Sequence, residues 1–501
     1  MSATTENETS SITSNQSLID NKPSIKEVLK NKPFMVLFGA QFIENVGRAI
    51  SGLALEFFIW ELTRSPLKMG ILAILWLLPF VIIAPFAGVY TDRLDQRKIM
   101  FWSNVLSMIA SLGYVIIYLL RNVLTFTRTY WLVVSEGRAI HVTEINYGWV
   151  IWPLFIFAFL NSASAAFFFP ARNAYTRLIV KKKNLLIANS IGSTIFQIAT
   201  IVGFVIAGIL AAISYLTSFI FDASTFLVSG LLILVIIRIG KKPPKVEREK
   251  STSLKAEMKG IVKDMRIGYR TIRDYPKISY MLVIFSAITF TFGAINVLFI
   301  VILQGEMGLN QMWYGALQGV MGASGIITAI ILMSMGKIKR KILLLNGAFL
   351  LATIAMYLFA VIRNPWGMAA ILFSFGVITV CINIPASTLI QETVPYEKQG
   401  RVFGTQQLVQ GIAQLIGMGI VAIIAEYVLP MITLLVSSGI LTIIIVIGFI
   451  YSGRRGLLEK DYDENGDVKE ARINNINKQL EDSEFSIEKP SSFTAGDSSI
   501  E

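Results

Sequence analysis

The sequence predicts an all-α membrane protein of twelve transmembrane helices arranged as two six-helix bundles. Three observations predict it. The 501-residue chain is 54% apolar and only 16% charged, with a mean hydropathy of +0.62; soluble domains carry about one quarter charged residues. Apolar runs near the roughly 20 residues a helix needs to cross a bilayer recur twelve times. The connections between them alternate between basic and charge-poor, as the positive-inside rule requires.

The runs are 34–60, 69–90, 99–120, 149–169, 185–213 and 217–237, then 278–303, 313–335, 342–362, 366–390, 402–427 and 431–451. They fall six on each side of a basic cytoplasmic linker, 240–277, which gives bundles at 33–239 and 278–453. The flanking segments 1–32 and 454–501 are polar and read as disordered cytoplasmic tails. Even-numbered connections hold Arg93, Arg97 and Lys98, then Arg177 and Lys181 to Lys183, then the linker, then Lys337, Lys339, Arg340 and Lys341, then Lys398 and Arg401. Odd connections are poorer, with Arg64 and Lys68 in the first and none in the fifth or seventh. Both termini are thereby placed in the cytoplasm, and the long third connection, 121–148, outside.

A net charge of +12 raises the possibility of nucleic acid, but the Lys and Arg residues sit mainly in short loops between apolar runs. Their partner is the anionic inner leaflet of the bilayer. Cys381 is the single cysteine and lies in an apolar run, so no intramolecular disulfide forms; His141 is the single histidine, so no multi-histidine metal site exists. Residues 1–32 lack the basic and apolar regions of a cleaved signal, so the first helix must direct insertion. No nucleophile elbow, phosphate loop or metal cluster is present, and the sequence predicts neither an enzyme nor a cofactor.

An internal repeat supports two halves. Pro170-Ala171 before the fifth run matches Pro385-Ala386 before the eleventh, and Lys98-Ile99-Met100 matches Lys341-Ile342-Leu343. The difference in spacing is taken up by the third connection. The loop 336–341 keeps the positive charge of its first-half copy but contains no acid. In the linker, Ile261, Met265, Gly268, Tyr269 and Ile272 fall at helical spacing among Lys and Arg. That pattern fits a helix on the inner leaflet, or a solvated charged tether.

Polar groups inside the membrane are costly and therefore informative. Gln41, Glu44, Asn45, Arg48 and Gly52 share one stripe of the first helix. Glu44 precedes Arg48 by four residues, the favourable order for an intrahelical pair, and lies about 15 Å along the axis from Phe34. Two readings stay open: a structural ion pair, or a cavity pair that a proton or a cationic substrate disturbs. Glu56, further along, is a second titrating group or an interfacial residue. Asp222 caps or hydrogen-bonds between helices, or binds a proton. On the eleventh run Gln407, Gln410 and Gln414 share a face and either line a substrate cavity or stitch helices together; Asn296 and Asn383 carry the same two readings. Gly315, Gly319, Gly322 and Gly325, with Gly411, Gly417 and Gly419, permit close helix approach.

The loop at 88–98, G-V-Y-T-D-R-L-D-Q-R-K, resembles the signature between the second and third helices of the major facilitator superfamily, with Asp95 where the family usually has Gly. F-G-A-Q-F-I-E-N-V-G at 38–47, P-A-R at 170–172, F-D-A-S-T-F-L-V-S at 221–229 and Q-E-T-V-P-Y-E-K-Q-G-R-V at 391–402 resemble its bacterial macrolide-efflux and enterobactin-exporter-like permeases. The resemblance implies two bundles rocking about a central site, with drug-like cargo exported in exchange for protons, in a monomer of the bacterial inner membrane. It implies a cytoplasmic gate built from Gly88, Asp92, Arg93, Arg97, Lys98, Arg172 and Arg401, with Asp92 engaging the start of the eleventh helix near 400–402. The segment 203–208 is similar to the family's antiporter motif, with Gly-Phe for Gly-Pro. Drug antiporters also carry R-x-x-Q-G in the fourth helix, where this chain has Asn161-Ser162-Ala163-Ser164; coupling then falls to Glu44 and Arg48. The same fold also serves siderophore or lysolipid transport, and a non-transporting sensor is the reading of another class.

Overall fold

The computed structural model describes residues 24–134, 138–243, 254–335 and 340–454. Helix α1 spans Lys32–Thr63; α2 runs Pro66–Ile82 and resumes after Ile83 as Ala84–Arg93; α3 spans Gln96–Leu124, α4 Gly148–Ile179, α5 Leu185–Ile213 and α6 Tyr215–Ile239. A linker helix, Leu254–Asp274, leads into α7 Pro276–Ile300, which ends in a π turn at Val301–Glu306. Then come α8 Gln311–Ser334, α9 Lys341–Val361, α10 Pro365–Thr393, α11 Tyr396–Tyr427 and α12 Pro430–Arg454.

The ten helices α3 to α12 are long and apolar enough to cross a membrane. The first two expected spans are helical but differ from these. Helix α1 has 32 residues, yet carries Glu44, Arg48, Glu56 and Glu61. Helix α2 contains Pro79, which cannot donate to the ladder, and breaks at Ile83 just before a second proline-started segment.

Local chemistry sets the helix starts. Asn31 accepts from Phe34 N, Ser65 from Lys68 N, Asn310 from Trp313 N and Asn364 from Gly367 N, each satisfying an orphan donor of the first turn. Pro follows three of these caps, at the position where its missing N–H costs nothing.

The connection expected as a loop at 121–148 is not irregular. Helix α3 continues to Leu124, and strands β1 Phe126–Val134 and β2 Arg138–Asn146 pair antiparallel, Phe126 opposite Asn146 and Val134 opposite Arg138. Val, Ile, Thr, Tyr and Trp dominate this stretch, residues that favour a pleated backbone. The N-terminal tail also needs correction at its end. Residues Ile25–Leu29 form a short helix with Val28 buried beside Phe34, Leu37 and Ile179. Glu27 pairs with Lys181 at 2.6 Å and accepts from Asn184 Nδ2 at 2.8 Å. Residues 1–23 and the C-terminal tail from 455 lie outside the described residues, as do 244–253 of the linker.

Helix α1 packs against α5 and α6, and α3 against α4 and α6. Helix α7 packs against α11 and α12, α8 against α10, and α9 against α10 and α12. The two groups touch where α5 meets α8 and α2 meets α11. Glycine makes these approaches close: a Cβ on Gly208 would sit 2.8 Å from the Gln311 carbonyl oxygen and 3.3 Å from Gly315 Cα. Trp60 against Gly305 joins the groups at the same end. There Tyr215 donates to Glu61 at 2.7 Å and accepts from Gln311 Nε2 at 3.0 Å. Glu426 of α11 also accepts from Ser65 Oγ at 2.8 Å and from Leu67 N at 3.0 Å, a carboxylate on the positive end of α2.

Two outcomes test this architecture. A Cβ on Gly417 would meet Phe290 backbone, its carbonyl carbon at 2.9 Å, whereas one on Gly404 meets nothing within 4 Å. Gly417→Ala should therefore lose about 1–3 kcal/mol through overpacking and lower the melting temperature in detergent, while Gly404→Ala leaves it unchanged. Hydrogen bonds from Lys181 and Asn184 hold the Glu27 carboxyl down at about 2, against an ordinary value of 4.5. A depressed carboxylate stabilises above its unfolded pKa and loses that contribution as pH falls through the folded one. Docking of Ile25–Leu29 should accordingly weaken between pH 4.5 and 2, seen as faster rate-corrected amide exchange at 25–31, and Glu27→Gln should show that exchange at neutral pH.

Candidate functional site

A chain of polar side chains crosses four helices in the middle of the first group. Glu44 is 1% exposed and lies 2.7 Å from Arg48 Nη2. Arg48 Nη1 donates to the Oδ1 and, at 3.3 Å, the carbonyl oxygen of Asn161, while Nη2 reaches Ser107 Oγ at 3.4 Å. Its guanidinium also lies over the Phe226 ring, 4.9 Å from the centroid. Asn161 Nδ2 donates to Ser111 Oγ at 3.5 Å, and Ser111 donates to Asp222 Oδ2 at 2.6 Å. Ser107 and Ser164 hydrogen-bond each other. The series Glu44, Arg48, Asn161, Ser111, Asp222 thus joins α1, α4, α3 and α6. Burying charge in an apolar interior is expensive unless it is paired and hydrogen-bonded, which explains the density of partners around one arginine.

Arg48 and Asn161 are the members that reach a cavity of about 440 Å³, within the size range of small-molecule sites. Residues of α1 to α5, α7 and α8 line it, with Trp76, Phe80, Tyr114, Phe169, Phe196, Phe204 and Tyr314 as aromatic walls. Glu56, Asn45 and Asn296 also line it. Tyr314 and Gln318 line it from α8.

The structure separates the remaining sequence candidates from this cavity. Gln41 is 1% exposed, with neither amide atom hydrogen-bonded among the described residues. Asn383 is exposed and donates to Thr379 O on its own helix at 2.8 Å. Gln407 is exposed, and Gln410 and Gln414 are half-buried on α11, none of them in the cavity wall. Sequence reasoning passed over Asn161, Ser107 and Ser111. Ser103, Ser107 and Ser111 recur every fourth residue of α3, a polar stripe that marks one face. Asn161 stood in the segment noted only for its missing arginine; the arginine that meets it comes from α1.

The gate motif is built differently from its sequence expectation. Asp95 caps α3 through Arg97 N at 3.1 Å and holds the Arg97 side chain at 3.0 and 2.8 Å. Arg97 Nη1 then donates to the carbonyls of Ile237 and Gly240 at 3.1 and 3.4 Å, closing the C-terminal end of α6. Burial pushes the Asp95 carboxyl up, but the Arg97 hydrogen bonds and the nearby Lys98 charge outweigh it and hold it below the usual range. Gly88 O accepts from Thr91 Oγ1 at 2.7 Å, and Lys98 is exposed. The side chains of Asp92 and Arg93 lie outside the described atoms. Arg172 donates to its neighbour Asn173 at 2.7 Å and stacks near Phe169. Arg401 pairs with Asp264 of the linker helix at 2.9 Å. That helix buries Gly268, Thr271 and Ile272 against α11 and leaves Tyr269 exposed, so it is packed on the protein and not a free tether. In the second-half copy of the motif the acid missing from 336–341 arrives from α10: Glu392 lies 2.8 Å from the buried Lys341 ammonium.

Residues 37–418 match the family model of the Major Facilitator Superfamily. The chain belongs to that superfamily. It is therefore a multi-pass membrane transporter of a family that handles small molecules, a class generally distinct from enzymes. It is 25% identical over 435 residues to the uncharacterized MFS-type transporter YfiS of Bacillus subtilis, covering 85% of this chain and 94% of that one. It is 23% identical over 403 residues to macrolide efflux protein A of Streptococcus pyogenes, covering 78% and 89%. Among solved structures, an inward-facing bacterial homologue of the iron transporter ferroportin aligns with a TM-score of 0.60 at 14% identity, over 84% of this chain and 99% of that one. A likeness at that identity speaks for the superfamily fold alone.

Asn161→Leu should remove the side-chain acceptor of Arg48 Nη1 and leave it only the backbone carbonyl of residue 161 at 3.3 Å. An unmade buried hydrogen bond costs about 1–3 kcal/mol, more for a charged group, and the variant should unfold at lower temperature in detergent. Asn161→Asp, which keeps an acceptor for Arg48, should lose less.

Proposed function

We propose that the protein is a proton-coupled exporter of amphipathic drug-like molecules, macrolides among them, working by alternating access in the bacterial plasma membrane. The observation that carries this reading is the aromatic cavity into which an arginine, tied to a buried acid, projects. In this reading the units 33–239 and 278–453 are two six-helix bundles, and α1 and α2 complete a set of twelve spans. The packing of α1 to α6 among themselves, and of α7 to α12 among themselves, supports the grouping. Both termini and the loop 88–98 face the cytoplasm, which agrees with the basic charge of that loop and of the other even-numbered connections, and the protein acts as a monomer.

The contacts at Glu61–Tyr215–Gln311, Ser65–Glu426 and Gly208–Gly315 join the two groups at the opposite end. The described state is then closed outside and faces inward. Closure of the inner end brings Asp92 to the positive end of α11 near 400–402, a contact worth about 0.3–1 kcal/mol when exposed, present in one state and absent in the other as a switch requires. The linker helix, joined to Arg401 through Asp264, moves with α11.

The charge count supplies the coupling. Glu44 and Asp222 are two acids in one network with a single base, Arg48. In an apolar interior two carboxylates balanced by one guanidinium leave room for one proton. Taking up that proton from outside and releasing it inside, with Arg48 rearranged between its partners, changes what the guanidinium offers to the cavity.

The test is transport of a labelled macrolide by proteoliposomes under an imposed pH gradient. Glu44→Gln should lower gradient-driven transport at least about tenfold, that is about 1.4 kcal/mol or more, at unchanged protein incorporation. Wild-type transport by this variant would overturn the coupling role.

A further inference from the structure

Resting on the cavity as the substrate site, we propose that its favoured ligand is an amphipathic organic cation, the positive head at Glu56 and the apolar body on the aromatic walls. Two charged side chains line the cavity, Arg48 and Glu56. They are not equivalent. Arg48 is compensated by Glu44 at 2.7 Å and held by Asn161. Glu56 makes no ion pair among the described residues, and its neighbour is the neutral hydroxyl of Tyr314. The cavity wall therefore holds one acid that no base among the described residues compensates, and a cationic head is the partner with which it would pair in its ionised form.

The walls point the same way. An aromatic ring presents a negative face, so Trp76, Phe204 and Tyr314 favour a cation over an anion of the same shape. An anion entering beside Glu56 finds no base at one end and an arginine already engaged at the other. A neutral molecule gains the apolar contact and nothing from Glu56. Glu56 belongs to α1 and Tyr314 to α8, so a head group seated there contacts both groups of helices at once.

Tetraphenylphosphonium and tetraphenylborate test this directly, because they share shape and apolar surface and differ in sign. Binding of each to the purified full-length protein in uncharged detergent is measured by titration calorimetry at low salt, with neutral triphenylphosphine oxide as a third probe. The phosphonium should bind at least about tenfold tighter than the borate. Glu56→Gln should remove most of that preference while leaving the phosphine oxide affinity and the melting temperature unchanged, and Glu56→Asp should restore part of it. Equal affinities for the two ions, no binding of the phosphonium, or a preference that survives Glu56→Gln would each overturn the proposal. Phe204→Ala separates the two levels of the inference. If it leaves all three affinities unchanged, the cavity is not the binding site; if it weakens all three while the ions bind alike, the cavity stands and the charge preference fails. Since no proton gradient is present, the result is independent of coupling.

Discussion

The structure depends on one constraint: a guanidinium held near the middle of an apolar layer. Arg48 cannot be solvated there by water in bulk and cannot face lipid without severe desolvation. Its hydrogen-bonding surface is instead filled by Glu44 on its own helix, Asn161 on α4 and Ser107 on α3, with Phe226 beneath it. These partners fix the rotation of α1, α3, α4 and α6 about their axes, because a turn of any one would strand a polar atom. The same requirement keeps part of the arginine at the cavity surface. Packing and the cavity wall therefore draw on a single set of hydrogen bonds.

The second group shows a different solution. Its interior contains no comparable ion pair among the described residues; its charged anchor, Lys341 with Glu392, sits at the helix ends. Tight backbone approach does the work that polar bonds do in the first group. Gly417 against Phe290 and Gly376 against Met321 bring α7 to α11 and α8 to α10. In an apolar solvent small residues of this kind substitute for the hydrophobic effect, which offers helices little advantage over lipid. One group is thus tuned by charge and the other by shape, and the cavity lies where the two meet.

The loop 88–98 illustrates how a departure from a motif acquires a purpose. Asp95 occupies a position where the superfamily usually has glycine. It caps α3, clamps Arg97 and, through it, closes α6. A glycine can make neither bond. The loop is consequently tied to its own group of helices by Asp95 and Arg97.

What the sequence by itself determined is the set of apolar segments, their polarity and the polar stripe of α1, because hydropathy, charge asymmetry and the spacing of three and four residues are properties of the chain alone. Glu44 and Arg48 were legible as a pair for that reason. Only the tertiary structure decided that Asn161 and Ser107 receive the arginine, that Glu56 and not the glutamines of α11 borders the cavity, and that Glu392 supplies the acid missing near Lys341. These pairings join residues separated by tens to hundreds of positions, whose relative rotation is fixed by helix packing and not by local spacing. The hairpin at Phe126–Asn146 escaped for a related reason: a strand of that length becomes visible when its partner is known, since its hydrogen bonds run to another segment and not within itself.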